Sequence, residues 1–129
     1  MKVCLINPGK SQRFSVHEPL NLGFLAAYLE ARNIEVALVD ELAGQDVDKE
    51  LGRFKPDMVG ITATTTLVPE AYAIADRCRA KGLLTVMGGV HATLFPDEAL
   101  RHADVVVRNE GEQGLMEVIE KRITSGVVD

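Results

Sequence analysis

Short apolar runs rich in β-branched residues alternate along this chain with stretches of helical periodicity. The runs predict strands over 2–7, 35–39, 57–62, 84–88 and 105–108. Helical patterns fall between and after them, over 20–32, 46–54, 67–81, 96–101 and about 112–124. Alternation of this kind builds βαβ units, which place successive strands side by side in one parallel sheet. Most of the runs are apolar throughout instead of alternating with polar residues, as strands covered by helices on both faces are.

The helix signals are local and specific. Leu22, Leu25, Ala26 and Leu29 follow the i, i+3, i+4, i+7 spacing of a buried face, and Asn33 stands where a left-handed residue would end that helix. Ala71, Ile74, Ala75 and Cys78 repeat the spacing, with Thr66 placed as N-cap, Pro69 and Glu70 in the first turn and Gly82 past the end. Pro96 opens a further helix, with Asp97 and Glu98 where the helix dipole favours acids. The expected architecture is α/β: a flavodoxin-like (Rossmann-like) doubly wound, five-stranded parallel sheet of order 2-1-3-4-5 in three α/β/α layers.

Composition narrows the function. The 129 residues amount to one domain, and 47% hydrophobic residues suffice for a core without metal or disulfide staples. Fourteen Lys and Arg against nineteen Asp and Glu leave a net charge of −5, which argues against phosphate-driven nucleic-acid binding. Aromatics are 5% with no Trp, so a base-stacking platform is also disfavoured. Cys4 and Cys78 sit in apolar stretches at no metal-like spacing, which suits a reduced, cytoplasmic protein. No apolar run reaches the roughly 18–20 residues of a membrane span, and the acids Asp40, Glu41, Asp46, Asp48 and Glu50 read as a solvated face.

Open parallel sheets bind ligands at the carboxyl ends of their strands, near the switch in strand order. Four segments therefore matter: Asn7-Pro8-Gly9 onward to Pro19, Thr62 to Thr66, Gly88-Gly89-Val90-His91-Ala92-Thr93, and Asn109-Glu110-Gly111-Glu112. Four threonines in five residues exceed what one helix cap requires. Paired glycines straight after a buried strand make a turn or let a bulky ligand approach the backbone. His91 beside them reads either as a loop histidine or as a ligand contact; His17 and His102 carry less weight.

Three motifs fail. Gly9-Lys10-Ser11 matches the end of a phosphate-binding loop, but the pattern needs Gly where Cys4 lies within a strand. No GxGxxG follows any strand, so the dinucleotide fingerprint is absent. A phosphoacceptor domain would need an acidic pair after the first strand and Asp at the end of the third, where Asn7 and Thr62 stand. No serine or cysteine lies in a local pattern with a histidine that would make a nucleophile–base pair.

Taken together, Pro19-Leu20-Asn21-Leu22-Gly23, the stretch from Lys55 to Thr62, Gly88-Gly89-Val90-His91-Ala92-Thr93 and Asn109-Glu110-Gly111-Glu112 resemble cobalamin-binding domains. The chain is similar over nearly its whole length to those at the N-terminus of radical S-adenosylmethionine enzymes. These include the anaerobic magnesium-protoporphyrin monomethyl ester cyclase group. The resemblance implies that the loop starting at Asn7, Pro8 and Gly9 faces the corrin. It implies that Thr62, Thr64 and Thr65 contact the cofactor's nucleotide tail. Gly88 and Gly89 would leave room for that tail, with Val90, His91 and Thr93 beside it and Glu110 and Gly111 in the last loop. The family's last loop is usually Gly-Glu-Gly-Glu; here Asn109 replaces the first glycine.

Two departures refine the expectation. Cobalamin mutases carry Asp-x-His-x-x-Gly after the first strand, and its His ligates cobalt. The pattern is missing here, and His17 lacks the preceding Asp, so no histidine axial ligand is expected. Nor is there a CxxxCxxC to hold a 4Fe-4S cluster. The resemblance thus implies that residues 1–129 form a single cobalamin-binding domain of a longer methyltransferase or oxidative cyclase. S-adenosylmethionine and the cluster would belong to a radical barrel outside this sequence. The alternatives are a cofactor-less docking domain of the same enzymes, or a stand-alone module for FMN or another phosphate ligand.

Overall fold

The computed structural model describes residues 1–12, 20–109 and 111–129. Among these, six strands form one parallel sheet: β1 (Lys2–Asn7), β2 (Glu35–Asp40), β3 (Met58–Thr62), β4 (Leu84–Gly88), β5 (Val105–Val107) and β6 (Gly126–Val128). Their order is β2-β1-β3-β4-β5-β6, every neighbouring pair parallel. The first five follow the expected order. The sixth was missed: three residues whose only apolar signal is Val127-Val128 pair with β5, Val106 opposite Val127. The helices are α1 (Leu20–Glu30), α2 (Val47–Phe54), α3 (Val68–Ala80), α4 (Val90–Leu94), α5 (Pro96–Ala99) and α6 (Gly111–Glu120).

Strand alternation sorts the buried residues into two layers. Cys4, Ile6, Val59, Ile61, Met87 and Val106 pack against α2 and α3. Val3, Leu5, Met58, Val86, Val105 and Val107 face α1 and α6 on the opposite side. Both cysteines are free and buried in the first layer. Burial, with the neighbouring Cys78 adding to it, pushes the Cys4 thiol up to about 12, and burial raises Cys78 to about 11. They are inert core groups.

Local signals are borne out where the backbone demands them: Asn33 has φ 64° and Gly82 φ 77°, each just beyond a helix end. The expected Thr66 cap is not formed. A 3-10 turn over Thr65–Leu67 precedes α3, whose N-cap position is Leu67 with no side-chain hydrogen bond. Helix α4 was also missed, its five residues being too short for a readable period.

The acidic face needs correction too. Asp46 caps α2 by accepting from Lys49 N at 3.0 Å, and Asp48 pairs with Lys81 and Arg77 on the surface. Asp40 and Glu41, however, are buried. Asp40 Oδ1 accepts from Asn7 Nδ2 and from Leu42 N, both at 3.0 Å, and Glu41 Oε1 accepts from Gly9 N at 3.1 Å. Buried carboxylates need such donors, and these anchor the start of the first carboxyl-edge loop. Among the described residues, no helix is long and apolar enough to cross a membrane.

Candidate functional site

Two neighbouring strands, β3 and β4, carry glycine or threonine on one face of the sheet at its carboxyl edge. Gly60 of β3 lies in register between Leu5 of β1 and Val86 of β4, and Thr62 lies beside Gly88 two residues further on. All five belong to the face toward α1 and α6 by strand alternation. A Cβ at Gly60 would stand 2.9 Å from Leu5 Cδ2. Between this face and the two helices the chain leaves a cavity of ≈ 630 Å³, within the range of about 300–1,000 Å³ typical of ligand sites.

The walls grade from apolar to polar. Leu5, Val86, Leu22, Leu25, Tyr28 and Leu115 line the depth, while Thr62, Asn109, Glu112 and Gln113 stand with Gly88, Gly89 and Gly111 toward the carboxyl edge. Helix α6 lies close to the sheet because a Cβ at Gly114 would overlap Val107 Cγ1. The slot can take a flat apolar group inside and hydrogen-bonding groups at its mouth.

Gly89 fixes one rim. Its φ of 98° and ψ of −178° are open only to glycine, and a Cβ there would meet Thr62 Oγ1 at 2.6 Å and Ala63 O at 3.1 Å. The loops after β3 and β4 therefore touch backbone to backbone. Asn109 forms the far rim with φ 63°, and its N–H donates to Thr93 Oγ1 at 3.1 Å. Asparagine tolerates this left-handed backbone better than most residues, which explains how it stands where the resembling family has glycine.

Of the residues singled out from sequence, Thr62, Gly88, Gly89 and Gly111 line the slot. Asn7, Pro8 and Gly9 lie at the end of β1, Asn7 and Gly9 bound to Asp40 and Glu41. Thr64 Oγ1 bonds Thr66 Oγ1 at 3.1 Å on the surface. Val90 is 65% exposed at the start of α4. His91 is buried and turned into the α3 side: Nδ1 lies 3.3 Å from Thr65 Oγ1 and Nε2 2.9 Å from Glu98 Oε1. Tyr72 O–H donates to the same Glu98 oxygen at 2.7 Å. The hydrogen bond from His91, then that from Tyr72, hold the Glu98 carboxyl below its ordinary value. His17 and Glu110 lie outside the described residues.

The slot's inner lining was not foreseen. Gly60 carried a usable signal, since a glycine inside a buried strand often marks a close approach by a ligand or another backbone. Among the described residues, no group of three or more His, Cys, Asp or Glu could hold a metal ion. An open parallel sheet with an apolar slot under its carboxyl edge has the geometry of a cofactor- or ligand-holding module.

The chain belongs to the B12 binding domain family, whose model matches residues 10–119. An uncharacterized methyltransferase of Pyrococcus horikoshii is 32% identical over 93% of this chain and 29% of its own length. The anaerobic magnesium-protoporphyrin IX monomethyl ester cyclase of Rubrivivax gelatinosus is 30% identical over 92% of this chain and 24% of its own. The radical S-adenosylmethionine methyltransferase TsrM from Kitasatospora setae, solved with cobalamin and a 4Fe-4S cluster bound, superposes with a TM-score of 0.75. It is 26% identical over 92% of this chain and 26% of that one. The chain thus spans only about a quarter to a third of the length of these relatives.

Proposed function

We propose that this chain binds cobalamin and holds it for a radical S-adenosylmethionine enzyme. The slot between the sheet and α1 and α6 carries the reading. Its depth is apolar, opened by Gly60 and lined by Leu5, Val86 and Leu115, and suits the aromatic base that ends the cofactor's nucleotide tail. Its mouth offers Thr62, Asn109, Gln113 and the backbone at Gly88 and Gly89 to the tail's ribose and phosphate. Hydroxyls, amides and backbone N–H groups are the donors such groups take.

The chain's part is positional. It holds the tail and excludes water from it, while methyl transfer or other carbon chemistry is supplied by the cofactor when bound. His91 has both ring nitrogens engaged within the chain, so it does not serve as an axial ligand in this conformation. Residues 1–129 act as one binding domain of a longer, cytoplasmic methyltransferase or cyclase. The barrel of that enzyme would carry S-adenosylmethionine and the cluster, and the domain's partners are the corrin and that barrel.

The test is retention. Purified chain is incubated with hydroxocobalamin and desalted, and its visible spectrum is recorded. A corrin band that travels with the protein supports the reading. No retained band at high micromolar cofactor overturns it, and a yellow flavin band on purification would favour an FMN module instead.

A further inference from the structure

His91 stands three residues beyond Gly88, beside the slot's mouth, yet its ring points away from the slot. The Glu98 carboxylate only accepts, so the 2.9 Å contact places the ring proton on Nε2. Nδ1 is then left to accept the Thr65 hydroxyl at 3.3 Å. The ring also packs edge-on to Tyr72, with centroids 6.2 Å apart, and 4.9 Å from Phe95. Through these contacts one side chain on α4 ties together the turn after β3, helix α3 and helix α5. The same two loops meet at Gly89, where the backbone of Ala63 leaves no room for a Cβ.

Resting on the cobalamin reading above, we infer that His91 is a positioning residue. It latches Thr65 and so holds the turn that follows Thr62 against α4, without touching the cofactor. Thr62 and Gly88 are themselves paired across the β3–β4 ladder, which sets their spacing, whereas the turn over Thr65–Leu67 lies beyond that ladder. Gly89 brings the loops together but, lacking a side chain, cannot hold them. The Thr65–His91–Glu98–Tyr72 chain adds a side-chain connection beyond the ladder, at Thr65.

Two isosteric substitutions separate the ring's two bonds. His91→Gln keeps a donor toward Glu98 and removes the acceptor facing Thr65, whereas His91→Asn keeps a polar group near Nδ1 and gives up Glu98. Hydroxocobalamin titrations should show His91→Gln weaker than wild type by about threefold to tenfold, the scale of one lost hydrogen bond. His91→Asn should recover most of that loss. Thr65→Val should match His91→Gln, and the double variant should be no weaker than either single one. Additive losses, or unchanged binding with a lowered melting temperature, overturn the inference in favour of a general packing role. A shift in the bound cobalt's visible bands in His91→Gln overturns it in favour of direct ligation. In the cofactor-free protein, histidine-ring proton–nitrogen correlation should show His91 protonated on Nε2, with Nδ1 shifted by Thr65→Val. The opposite tautomer overturns the latch whatever the cofactor does. If wild type retains no corrin, the cobalamin reading and the turn's role in binding fall together, while the ring spectrum still reports on the latch separately.

Discussion

Replacing Gly60 by valine should separate binding from folding. Gly60 sits in the middle of β3, and its missing side chain forms part of the slot's floor. A Cβ there would come 2.9 Å from Leu5 Cδ2, the far end of a flexible side chain that borders ≈ 630 Å³ of open space. Leu5 can therefore turn aside without moving the backbone. Removing a strand glycine stabilises by roughly 0.5–1 kcal/mol, and burying a valine side chain adds about 1.5–3 kcal/mol. Displacing Leu5 costs roughly 1–3 kcal/mol. The terms nearly cancel, so apo stability should stay within about 2 kcal/mol of wild type, or roughly 8 °C in melting temperature for a chain of this size.

Binding has no such compensation, because valine occupies the space the cofactor's base would take. A tail forced against it loses at least about 1.4 kcal/mol, a tenfold rise in Kd, and Gly60→Ala should fall between. The assay pairs thermal melting of the cofactor-free chain with spectrophotometric titration by hydroxocobalamin. A Gly60→Val chain that binds as tightly as wild type would refute the slot. One that loses binding and its cooperative melt together would show that Gly60 serves packing alone.

Gly89→Ala should behave differently, since its Cβ meets backbone and its φ of 98° suits only glycine. A loss of about 2–4 kcal/mol is expected in denaturant titration, and a loss under 1 kcal/mol would mean the two loops are not held in contact. The buried thiols make a further prediction: Cys4 and Cys78 should resist Ellman's reagent at pH 8 in the native chain and both react once it unfolds. Their folded-state values of about 12 and 11 lie above those of an unfolded thiol, near 8.5. Their contribution is therefore complete below about pH 8.5 and is lost as pH rises toward the folded values. A melting temperature flat between pH 8.5 and 11 would contradict their burial.

Much of the fold could be read from residue pattern because parallel strands buried on both faces leave long apolar runs. Asn33 and Gly82 marked helix ends for the same local reason that they adopt positive φ. What escaped was short or depended on tertiary context. Helix α4 has five residues, and β6 has three that pair only because β5 offers an edge. Asp40 and Glu41 look like surface acids until the loop after β1 folds back to give them donors. At the site, the edge residues Thr62, Gly88 and Gly89 announced themselves by composition. The slot beneath them is made of ordinary leucines and valines and of one glycine whose meaning depends on its register with Leu5 and Val86. His91 was visible as a residue of interest; only the packing of α3 and α5 around it shows which way its ring faces.

If the slot holds the nucleotide tail of a corrin, a corrin without that tail should bind this chain weakly. Cobinamide carries the same macrocycle as hydroxocobalamin but lacks the nucleotide. In equilibrium dialysis the chain should retain hydroxocobalamin and hold cobinamide at least about tenfold more weakly, since the buried base and its polar rim contacts exceed 1.4 kcal/mol together. Equal retention of the two would place any binding at the carboxyl edge and leave the slot without a ligand.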